Sequence, residues 1–381
     1  MKKITILALH LGYGGAERCI TNLANSLVEK YYVTILTTYK LYDKPAFPLD
    51  KRVNVVYLTK VVPNRNDIRY DLKKFKVFSL IKDLMKAVKI LHLRKKTMID
   101  AIDSCDIDII ISTKVYFNKL LGEYKNDGVY SVGWEHNYNN HTKKEVREFI
   151  NSCRSLDRVV VVNKSLQKFY QEEFSKHKIK CVVDYIPNYI DCISKTKTDY
   201  KSDALIAVGR LESCKGFLDL IDVFNLASKK NKEATLTLVG DGKEYQAILN
   251  KIISLGLSKK VKMLGYQSQE VINNLYDKSS LYIMTSHTES FGLVMLEAMS
   301  HGLPVVGFSS AEGARDLIKD GENGYLIANR DQQAMANKIV ELLKDRTLLQ
   351  KTGANAYKSV KKYTKEEVTK DWEKLINNKN V

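Results

Sequence analysis

Short apolar runs alternate with segments of helical spacing along the whole chain. In the first half, the strand-like runs are KITILALHL, YVTILTT, DIDIIIS, VYSVGWEH and DRVVVVN, and between them lie segments such as GGAERCITNLANSLVEK, with apolar residues at a helical period. The second half repeats the alternation with ALIAVGRL, ATLTLVGDG, VKMLGY, LYIMTS and LPVVGF. This order is typical of parallel sheets covered by helices on both faces. The pattern predicts an α/β protein with two doubly wound, Rossmann-like domains.

A polar, irregular segment, DYIPNYIDCISKTKTDYKSD, interrupts this alternation, and we place the domain linker within it, at residues 187–203. The predicted domains are residues 1–190 and 191–363, followed by a C-terminal helix in residues 364–381. In open α/β sheets, ligands bind outside the carboxyl ends of the strands. We therefore expect the functional residues in the loops at those ends, along a cleft between the two sheets.

Composition and charge restrict the classes of function. Apolar residues make up 44% of the 381 positions, and no apolar run reaches the roughly 18 residues of a transmembrane helix. The N-terminus lacks a signal-peptide cleavage site and the six cysteines are scattered, so a cytoplasmic protein with reduced thiols is expected. The net charge of +17 favours phosphorylated ligands, anionic lipid or nucleic acid as partners.

More than half of this charge lies in one segment. Residues 60–96 contain twelve Lys or Arg and three Asp, a net of +9. The segment has an apolar stripe at helical spacing, formed by Val77, Leu80, Ile81, Leu84, Val88 and Leu91. A second stripe is basic and consists of Lys82, Lys86 and Lys89. This pattern predicts a basic amphipathic helix, which either lies on an anionic membrane or is the solvated outer face of an ordinary packing helix. Nucleic acid is not expected, because interleaved aromatic residues and recognised nucleic-acid motifs are missing.

The loop VGRLESCKGF carries two cations after a predicted strand. The predicted strand ends at Val208, Gly209 frees the backbone, and Arg210 and Lys215 follow before the next helix begins. Cations beside a helix N-terminus suit a diphosphate group. The alternative is that both are ordinary solvated surface cations.

The segment ESFGLVMLEAMSHGLPV places two carboxylates around the start of a helix. Glu289 precedes the predicted helix start at Phe291-Gly292-Leu293, and Glu297 lies about one and a half turns inside it. The neighbours of Glu297 are apolar on nearly every side, which predicts a buried helix and a carboxylate that needs polar partners. The helix amides could hold a phosphate, and Glu297 could accept hydrogen bonds from a ribose diol.

Two first-domain loops are further candidates. In LGYGGAERC, Gly12 and Gly14 fit a dinucleotide-binding G-x-G-x-x-G turn, but Glu17 occupies its third glycine position. The pair Gly14-Gly15 would still let a ligand approach the backbone. In GWEHNYNNH, His136 could orient or polarise a substrate hydroxyl. The alternatives are a structural role for His136, or the neighbouring His141 in its place.

Several segments, in order over nearly the whole chain, resemble the retaining glycosyltransferases of family 4. They are GGAER near the N-terminus, EH at 135–136, IPN at 186–188, GRLESCKG at 209–216, ESFGLVMLEAMSHGLPVV at 289–306 and GARDLIKDGENGYL at 313–326. The resemblance implies a GT-B fold, in which two Rossmann-like domains face a cleft and the C-terminal helix returns to the N-terminal domain. Bacterial members that build capsule, O-antigen or lipid-linked oligosaccharides look most similar. The N-terminal domain would bind the acceptor and the C-terminal domain the nucleotide sugar.

The resemblance also implies roles for single residues. Arg210 and Lys215 match the residues that hold the nucleotide diphosphate, and Glu297 is similar to the ribose-binding glutamate. Glu289 matches the glutamate that faces the sugar hydroxyls. The amides of Phe291, Gly292 and Leu293 would bind the sugar and phosphate of the donor. The loop at Gly15 would also contact the donor, and His136 would contact the acceptor.

The implied reaction moves a hexose or N-acetylhexosamine from a nucleotide diphosphate sugar, expected to be a UDP-sugar, to a hydroxyl of a lipid-linked or polysaccharide acceptor. The anomeric configuration is retained, and no cofactor or metal is expected because Arg210, Lys215 and helix amides stabilise the leaving diphosphate. The DID at 106–108 precedes a strand, so we interpret it as a strand start and not as a metal-binding D-x-D. Whether Glu289 is a nucleophile, or the departing phosphate deprotonates the acceptor, stays open at this point.

The basic helix around Lys82, Lys86 and Lys89 would place such an enzyme peripherally on the cytoplasmic face of the plasma membrane. Two other functions fit parts of the pattern. A nucleotide-sugar epimerase of the same architecture would convert the donor without an acceptor. A non-catalytic basic protein would bind lipid or nucleic acid through the same helix.

Overall fold

The computed structural model describes residues 1–136 and 142–377, which form two compact units. The first unit contains Met1–Val161, Leu166–Ile186 and, near the C-terminus, residues 369–377. The second contains Val162–Ser165 and Pro187–Val368. Each unit has its own hydrophobic core. His141 and the last four positions of the predicted C-terminal helix lie outside the described residues.

The first unit is built on a sheet of seven parallel strands. The strands are β1 (Lys3–Ala8), β2 (Tyr32–Tyr39), β3 (Asn54–Thr59), β4 (Ile109–Ser112), β5 (Tyr130–Glu135), β6 (Arg158–Val161) and β7 (Val182–Tyr185). Their order in the sheet is β3-β2-β1-β4-β5-β6-β7. The connections therefore change direction between β1 and β4, which creates a crevice at the carboxyl ends of these two strands.

Helices cover both faces of this sheet, which is why its central strands are aliphatic on both sides. The helices of this part of the chain are α1 (Gly15–Leu27), α2 (Arg65–Lys73), α3 (Val77–Ser104), α4 (Val115–Tyr124), α5 (Lys143–Ser152) and α6 (Lys164–Lys176). Aromatic side chains such as Phe117, Phe149 and Tyr170 fill the core beneath them. No helix among the described residues has an apolar stretch long enough to cross a bilayer.

The second unit repeats the design with six parallel strands in the order β10-β9-β8-β11-β12-β13. These are β8 (Ala204–Val208), β9 (Thr235–Val239), β10 (Val261–Met263), β11 (Leu281–Met284), β12 (Val305–Phe308) and β13 (Gly324–Ile327). The helices are α7 (Phe217–Lys230), α8 (Tyr245–Ser254), α9 (Gln269–Asp277), α10 (Leu293–Ser300), α11 (Glu312–Leu317), α12 (Gln332–Lys344) and α13 (Arg346–Ser359). The last helix, α14 (Lys365–Asn377), begins in the second unit, and its residues 369–377 belong to the first. Short 3-10 turns occupy Ser213–Lys215, Ala328–Arg330 and Val360–Tyr363. The switch point here lies between β8 and β11.

The predicted α/β class with two doubly wound, Rossmann-like domains is confirmed. The aliphatic runs of the sequence became β1, β2, β4, β5 and β6 of the first sheet and β8–β12 of the second. Three strands were not predicted, namely β3, β7 and β13. Each lies at the edge of its sheet and is only partly buried, so its sequence carries no continuous aliphatic run.

Candidate active site

The loop after β8 is held in place by the loop after β9. Gly240 has a left-handed φ of 135°, and a Cβ there would lie 1.9 Å from the carbonyl oxygen of Gly209. The amide of Leu211 donates to the carbonyl of Asp241 at 2.9 Å. The segment GRL at 209–211 therefore has a fixed backbone, and it can accept a neighbour this close only because position 240 is glycine.

Lys215 and Glu289 meet at the switch point of the second sheet. Lys215 ends the 3-10 turn after β8, and Glu289 follows β11, its neighbour in the sheet. Gly216, at φ 64°, lets the chain press against Thr285, since a Cβ there would lie 2.2 Å from the Thr285 carbonyl oxygen. The Lys215 ammonium forms an ion pair with the Glu289 carboxylate, and these side chains are 22% and 15% exposed. The structure thus unites two predicted site residues that are 74 positions apart.

Arg210 is not part of this pair. Its guanidinium Nη1 lies 3.3 Å from Oε1 of Glu212, and its side chain is 69% exposed. An exposed ion pair of this kind contributes little to stability, about 0–1 kcal/mol. Arg210 can therefore leave Glu212 for an anionic ligand at small cost.

The backbone around Glu289 is fixed from behind. The amide of Gly313 donates to the Glu289 carbonyl at 2.7 Å, and the fully buried Asn163 donates through Nδ2 to the Ser290 carbonyl at 2.7 Å. A Cβ at Gly313 would lie 2.4 Å from the carbonyl oxygen of Phe291, so only glycine permits this contact. These contacts set the direction in which the Glu289 side chain leaves the backbone.

Helix α10 begins directly after this segment. Gly292 is its N-cap residue, at a left-handed φ of 91°, and no side chain caps the helix there. The predicted helix start at Phe291-Gly292-Leu293 is confirmed. The first amides of any helix have no partner within the helix. This N-terminus therefore presents donors that suit a phosphate group.

Glu297 is buried inside α10, as its apolar neighbours predicted, with 7% of its surface exposed. Tyr282 of β11 lies close enough to both Glu297 and Glu289 for their charges to act on its hydroxyl. Burial raises the pKa of the Tyr282 hydroxyl, and the negative charges of Glu289 and Glu297 raise it further. The hydroxyl donates to the Val208 carbonyl at 3.1 Å. Tyr282 thus stays protonated beside both carboxylates, a role that its position in the strand run LYIM did not signal.

Arg330 supports the loop that leads to Glu289, and it too was missed from the sequence. Its guanidinium donates to the carbonyls of Thr285 and Ser286 at 2.8 and 3.0 Å and pairs with Asp219. Arg330 reaches this position from a left-handed backbone conformation, with φ 52°. Such a conformation in a residue other than glycine has no sequence signature.

His136 lies at the end of β5 in the first unit. The side chain is buried, its ring centroid lies 4.0 Å from that of Trp134, and neither ring nitrogen has a hydrogen-bond partner among the described residues. Burial, and secondarily the charge of Lys114, lowers the pKa of His136 from 6.5 to about 3. The imidazole is therefore neutral at physiological pH. It can donate one hydrogen bond and accept another.

Gly15 is the first residue of α1, at the exposed turn after β1. A Cβ at this position would meet no described atom within 4 Å, and φ is not in the left-handed region. Packing within the protein therefore does not explain why position 15 is glycine. Close approach of a ligand to the backbone would explain it.

The acidic triplet DID lies away from these loops. Asp108 accepts from the amide of Lys3 at 2.8 Å, and Asp106 pairs with the Lys3 ammonium. Both residues precede β4, at the amino end of the strands, as predicted. Within residues 1–136 and 142–377, no group of three or more His, Cys, Asp or Glu side chains is arranged to hold a metal ion.

Comparisons with known proteins agree with this architecture. Residues 192–359 match the family model for glycosyl transferases group 1. An uncharacterized glycosyltransferase of Haemophilus influenzae is 26% identical over 99% of this chain and 100% of its own length. An α-1,4-N-acetyl-D-galactosaminyltransferase of Campylobacter jejuni, named for an undecaprenol diphosphate-linked acceptor, is 27% identical over 99% of this chain and 98% of its own length.

Among solved structures, a mutant of S. aureus TarM in complex with Fondaparinux, alpha-GlcNAc-glycerol and UDP has a similar fold. The TM-score is 0.78, with 17% identity over 99% of this chain and 100% of that chain. These comparisons are consistent with the resemblance to family 4: residues 192–359 match the model for glycosyl transferases group 1, and the fold is similar to that of TarM, a GT-B structure.

Proposed function

We propose that this protein is a retaining glycosyltransferase that moves a hexose or N-acetylhexosamine from a UDP-sugar to a hydroxyl of a lipid-linked or polysaccharide acceptor. The observation that carries the proposal is the pairing of Lys215 with Glu289 at the switch point of the second sheet, beside buried Glu297 and the N-terminus of α10. Cation, carboxylates and helix amides together match the parts of a nucleotide diphosphate sugar.

Each part of the donor has a candidate partner. The diphosphate would lie against Lys215 and the first amides of α10, and the exposed Arg210 would turn from Glu212 towards it. Glu297 would accept hydrogen bonds from the ribose diol, and Glu289 from a sugar hydroxyl. Negative charge grows on the diphosphate as the glycosidic bond breaks, and preorganised cations and amides stabilise it. The proposal therefore includes neither a metal nor a cofactor.

The acceptor side is proposed to lie in the first unit, at His136. A neutral imidazole can accept a hydrogen bond from the acceptor hydroxyl and orient its oxygen for attack. The relative from Campylobacter jejuni is named for a lipid-linked acceptor, which supports the same class here. Retention of the anomeric configuration allows two routes. Either Glu289 acts as the nucleophile, or the leaving phosphate takes the proton of the acceptor hydroxyl. The fixed backbone of Glu289 is compatible with both.

A surface of the first unit supports attachment to an anionic membrane. Around the α2–α3 turn and the N-terminal half of α3, large apolar side chains face solvent, with Phe75 and Phe78 about 90% and 92% exposed. Lys82, Lys86 and Lys89 are exposed on the same helix. The predicted apolar stripe does not pack against the core; the buried residues of α3 are Ile90, Met98 and Ile102. We propose that this amphipathic surface lies on the cytoplasmic face of the plasma membrane.

Sedimentation with liposomes tests the attachment. Changing Lys82, Lys86 and Lys89 together to Glu should abolish sedimentation with anionic vesicles, because each basic residue near the surface contributes about 1 kcal/mol. A matched variant with Lys229, Lys232 and Lys259 changed to Glu removes equal charge from exposed sites of the second unit. Equal loss in both variants would indicate non-specific charge attraction and contradict the assignment of this surface.

Isothermal titration with UDP tests the donor site. We expect Glu297→Gln and Lys215→Gln each to weaken UDP binding by about tenfold or more, because each removes a charge-assisted hydrogen bond of about 1.5–3 kcal/mol. Lys251→Gln is the control, since that lysine pairs with Asp222 away from the site. Unchanged binding in both site variants would refute the assignment. Conversion of a UDP-sugar without any acceptor would indicate an epimerase, and tight, salt-sensitive RNA binding without transfer would indicate a binding protein.

A further inference from the structure

A cavity of about 290 Å³ lies at the carboxyl end of the first sheet. Leu9 follows β1, Lys114 follows β4, and Glu135 ends β5, so the cavity lies where the strand order reverses. The first turn of α4 and Arg94 from α3 complete its wall. Open α/β sheets bind ligands at this kind of position, and the volume is at the lower end of small-molecule sites.

The cavity wall contains hydrogen-bond donors without partners. The Arg94 guanidinium lies 3.9 Å from the centre of the Tyr116 ring and stacks on it. Arg94 Nε and the Tyr116 hydroxyl are both buried and have no partner among the described residues. Buried donors without partners cost free energy, so a small rotation of either side chain towards the cavity, where a ligand oxygen would accept its hydrogen bond, is favourable.

The charges of the wall select the ligand. Arg94 and Lys114 supply two cations, and the N-terminal amides of α4, which begins at Val115, add a positive partial charge. Glu135 is the single carboxylate among the described residues of the wall, and it is buried. A carboxylate repels an anion but accepts a hydrogen bond from a hydroxyl. The wall therefore suits a ligand that carries both a phosphate group and a hydroxyl.

We propose that this cavity binds the phosphate or diphosphate of a phosphate-linked glycan acceptor, with Arg94, Lys114 and the Tyr116 hydroxyl on the phosphate oxygens and Glu135 on a sugar hydroxyl. The identification of the ligand as an acceptor rests on the glycosyltransferase function proposed above. The same chemistry occurs in a free sugar phosphate and in a lipid-linked sugar diphosphate. His136 lies next to Glu135 in the chain, and the charge of Lys114 reaches it, so the phosphate would be held close to the proposed acceptor hydroxyl site.

Isothermal titration with inorganic phosphate and with a hexose 1-phosphate tests the cavity. Arg94→Gln and Lys114→Gln should each weaken the binding of both probes by about tenfold or more, since each removes a charge-assisted contact. Lys95→Gln is the matched control, because it removes one charge at the next position of α3 but pairs at the surface with Glu123 and does not line the cavity. Absent binding in the unaltered protein, or equal binding in all variants, overturns the proposal.

A second set of measurements separates this inference from the proposed function. UDP titration should be unaffected by Arg94→Gln and Lys114→Gln. If UDP binds and sugar is transferred while the cavity variants behave like Lys95→Gln, the cavity assignment fails alone. If phosphate binding depends on Arg94 and Lys114 but no UDP-sugar binds, the transferase proposal fails instead.

The source of the phosphate is decided by one more probe, an isoprenyl monophosphate in detergent. A lipid-linked acceptor is indicated if this probe binds more tightly than the hexose 1-phosphate and if Lys114→Gln weakens its binding. Tighter binding of the hexose 1-phosphate indicates a free sugar phosphate. Thermal unfolding of every variant without ligand checks the fold. Because Arg94 and Lys114 lie on different elements, Lys114→Gln decides the question if Arg94→Gln unfolds.

Discussion

Replacing His136 should remove a large part of the acid sensitivity of this protein. The folded-state pKa of His136 is about 3, while the unfolded chain binds the same proton near pH 6.5. As pH falls, the unfolded state is therefore protonated first. The contribution of a neutral His136 is fully present above about pH 6.5 and is lost as pH falls from 6.5 towards 3.

The size of the effect follows from these two pKa values. Between pH 7 and pH 5, the linkage relation gives a loss of about 2 kcal/mol in the free energy of unfolding from this residue alone. The physical cause is the burial of the ring and, secondarily, the charge of Lys114; with no described hydrogen-bond partner at either ring nitrogen, the charged imidazolium is costly.

Urea unfolding at pH 7 and at pH 5 measures this loss. Whatever the stability of the His136→Gln variant at pH 7, its loss between the two pH values should be about 2 kcal/mol smaller than that of the unaltered protein. His177→Gln is the control, because it also replaces one histidine, but at a side chain that is 51% exposed. A ring-nitrogen NMR spectrum at pH 5 gives an independent reading, with a neutral imidazole expected for His136.

Two results would refute this reasoning. One is an imidazolium spectrum for His136 at pH 5. The other is an equal loss of stability in the His136→Gln variant and in the unaltered protein. Either would mean that solvent or a negative charge reaches the ring, and the neutral imidazole proposed to orient the acceptor hydroxyl would no longer be available.

Three further predictions concern the donor side. Gly15→Ala should leave thermal stability unchanged or slightly raised, because a Cβ there meets no described atom within 4 Å, yet should raise the KM for the sugar donor; an unchanged KM would show that no ligand approaches this turn. Lys215→Met should cost about 2 kcal/mol in urea unfolding by leaving Glu289 unpaired, and adding Glu289→Gln should recover part of that cost; strictly additive effects would argue against the ion pair. Asn163→Ala should cost about 1–3 kcal/mol and weaken UDP binding, because it frees the Ser290 carbonyl; a stability loss with unchanged UDP affinity would separate Ser290 from the site.

The sequence was sufficient to predict the fold because its strongest signal, the aliphatic run, marks strands buried on both faces. Apart from β10, which lies at the edge of the second sheet, those strands form the centre of each sheet. The edge strands β3, β7 and β13 escaped prediction because one side of each is partly exposed and their residues mix apolar and polar character. Helix α10 was predicted because its residues are apolar almost all round, and the burial of Glu297 followed from the same pattern.

The site was predictable only in its local parts. The pairing of Lys215 with Glu289 depends on the adjacency of β8 and β11, which the order of elements along the chain does not reveal. Tyr282 was not predicted as a site residue, because it lies in a buried strand whose residues also pack in the core. Arg330 was hidden because its contacts depend on an unusual backbone conformation. These residues act through tertiary position, which periodicity and composition do not encode.

We propose, above all, that the second unit holds a nucleotide diphosphate sugar at the switch point between β8 and β11. A crystal structure of the protein grown with UDP tests it most directly. We expect the diphosphate within hydrogen-bond distance of Lys215 Nζ and the first amides of α10, with the ribose hydroxyls on the Glu297 carboxylate. UDP bound elsewhere, for example only at the Gly12–Gly15 turn of the first unit, would contradict it.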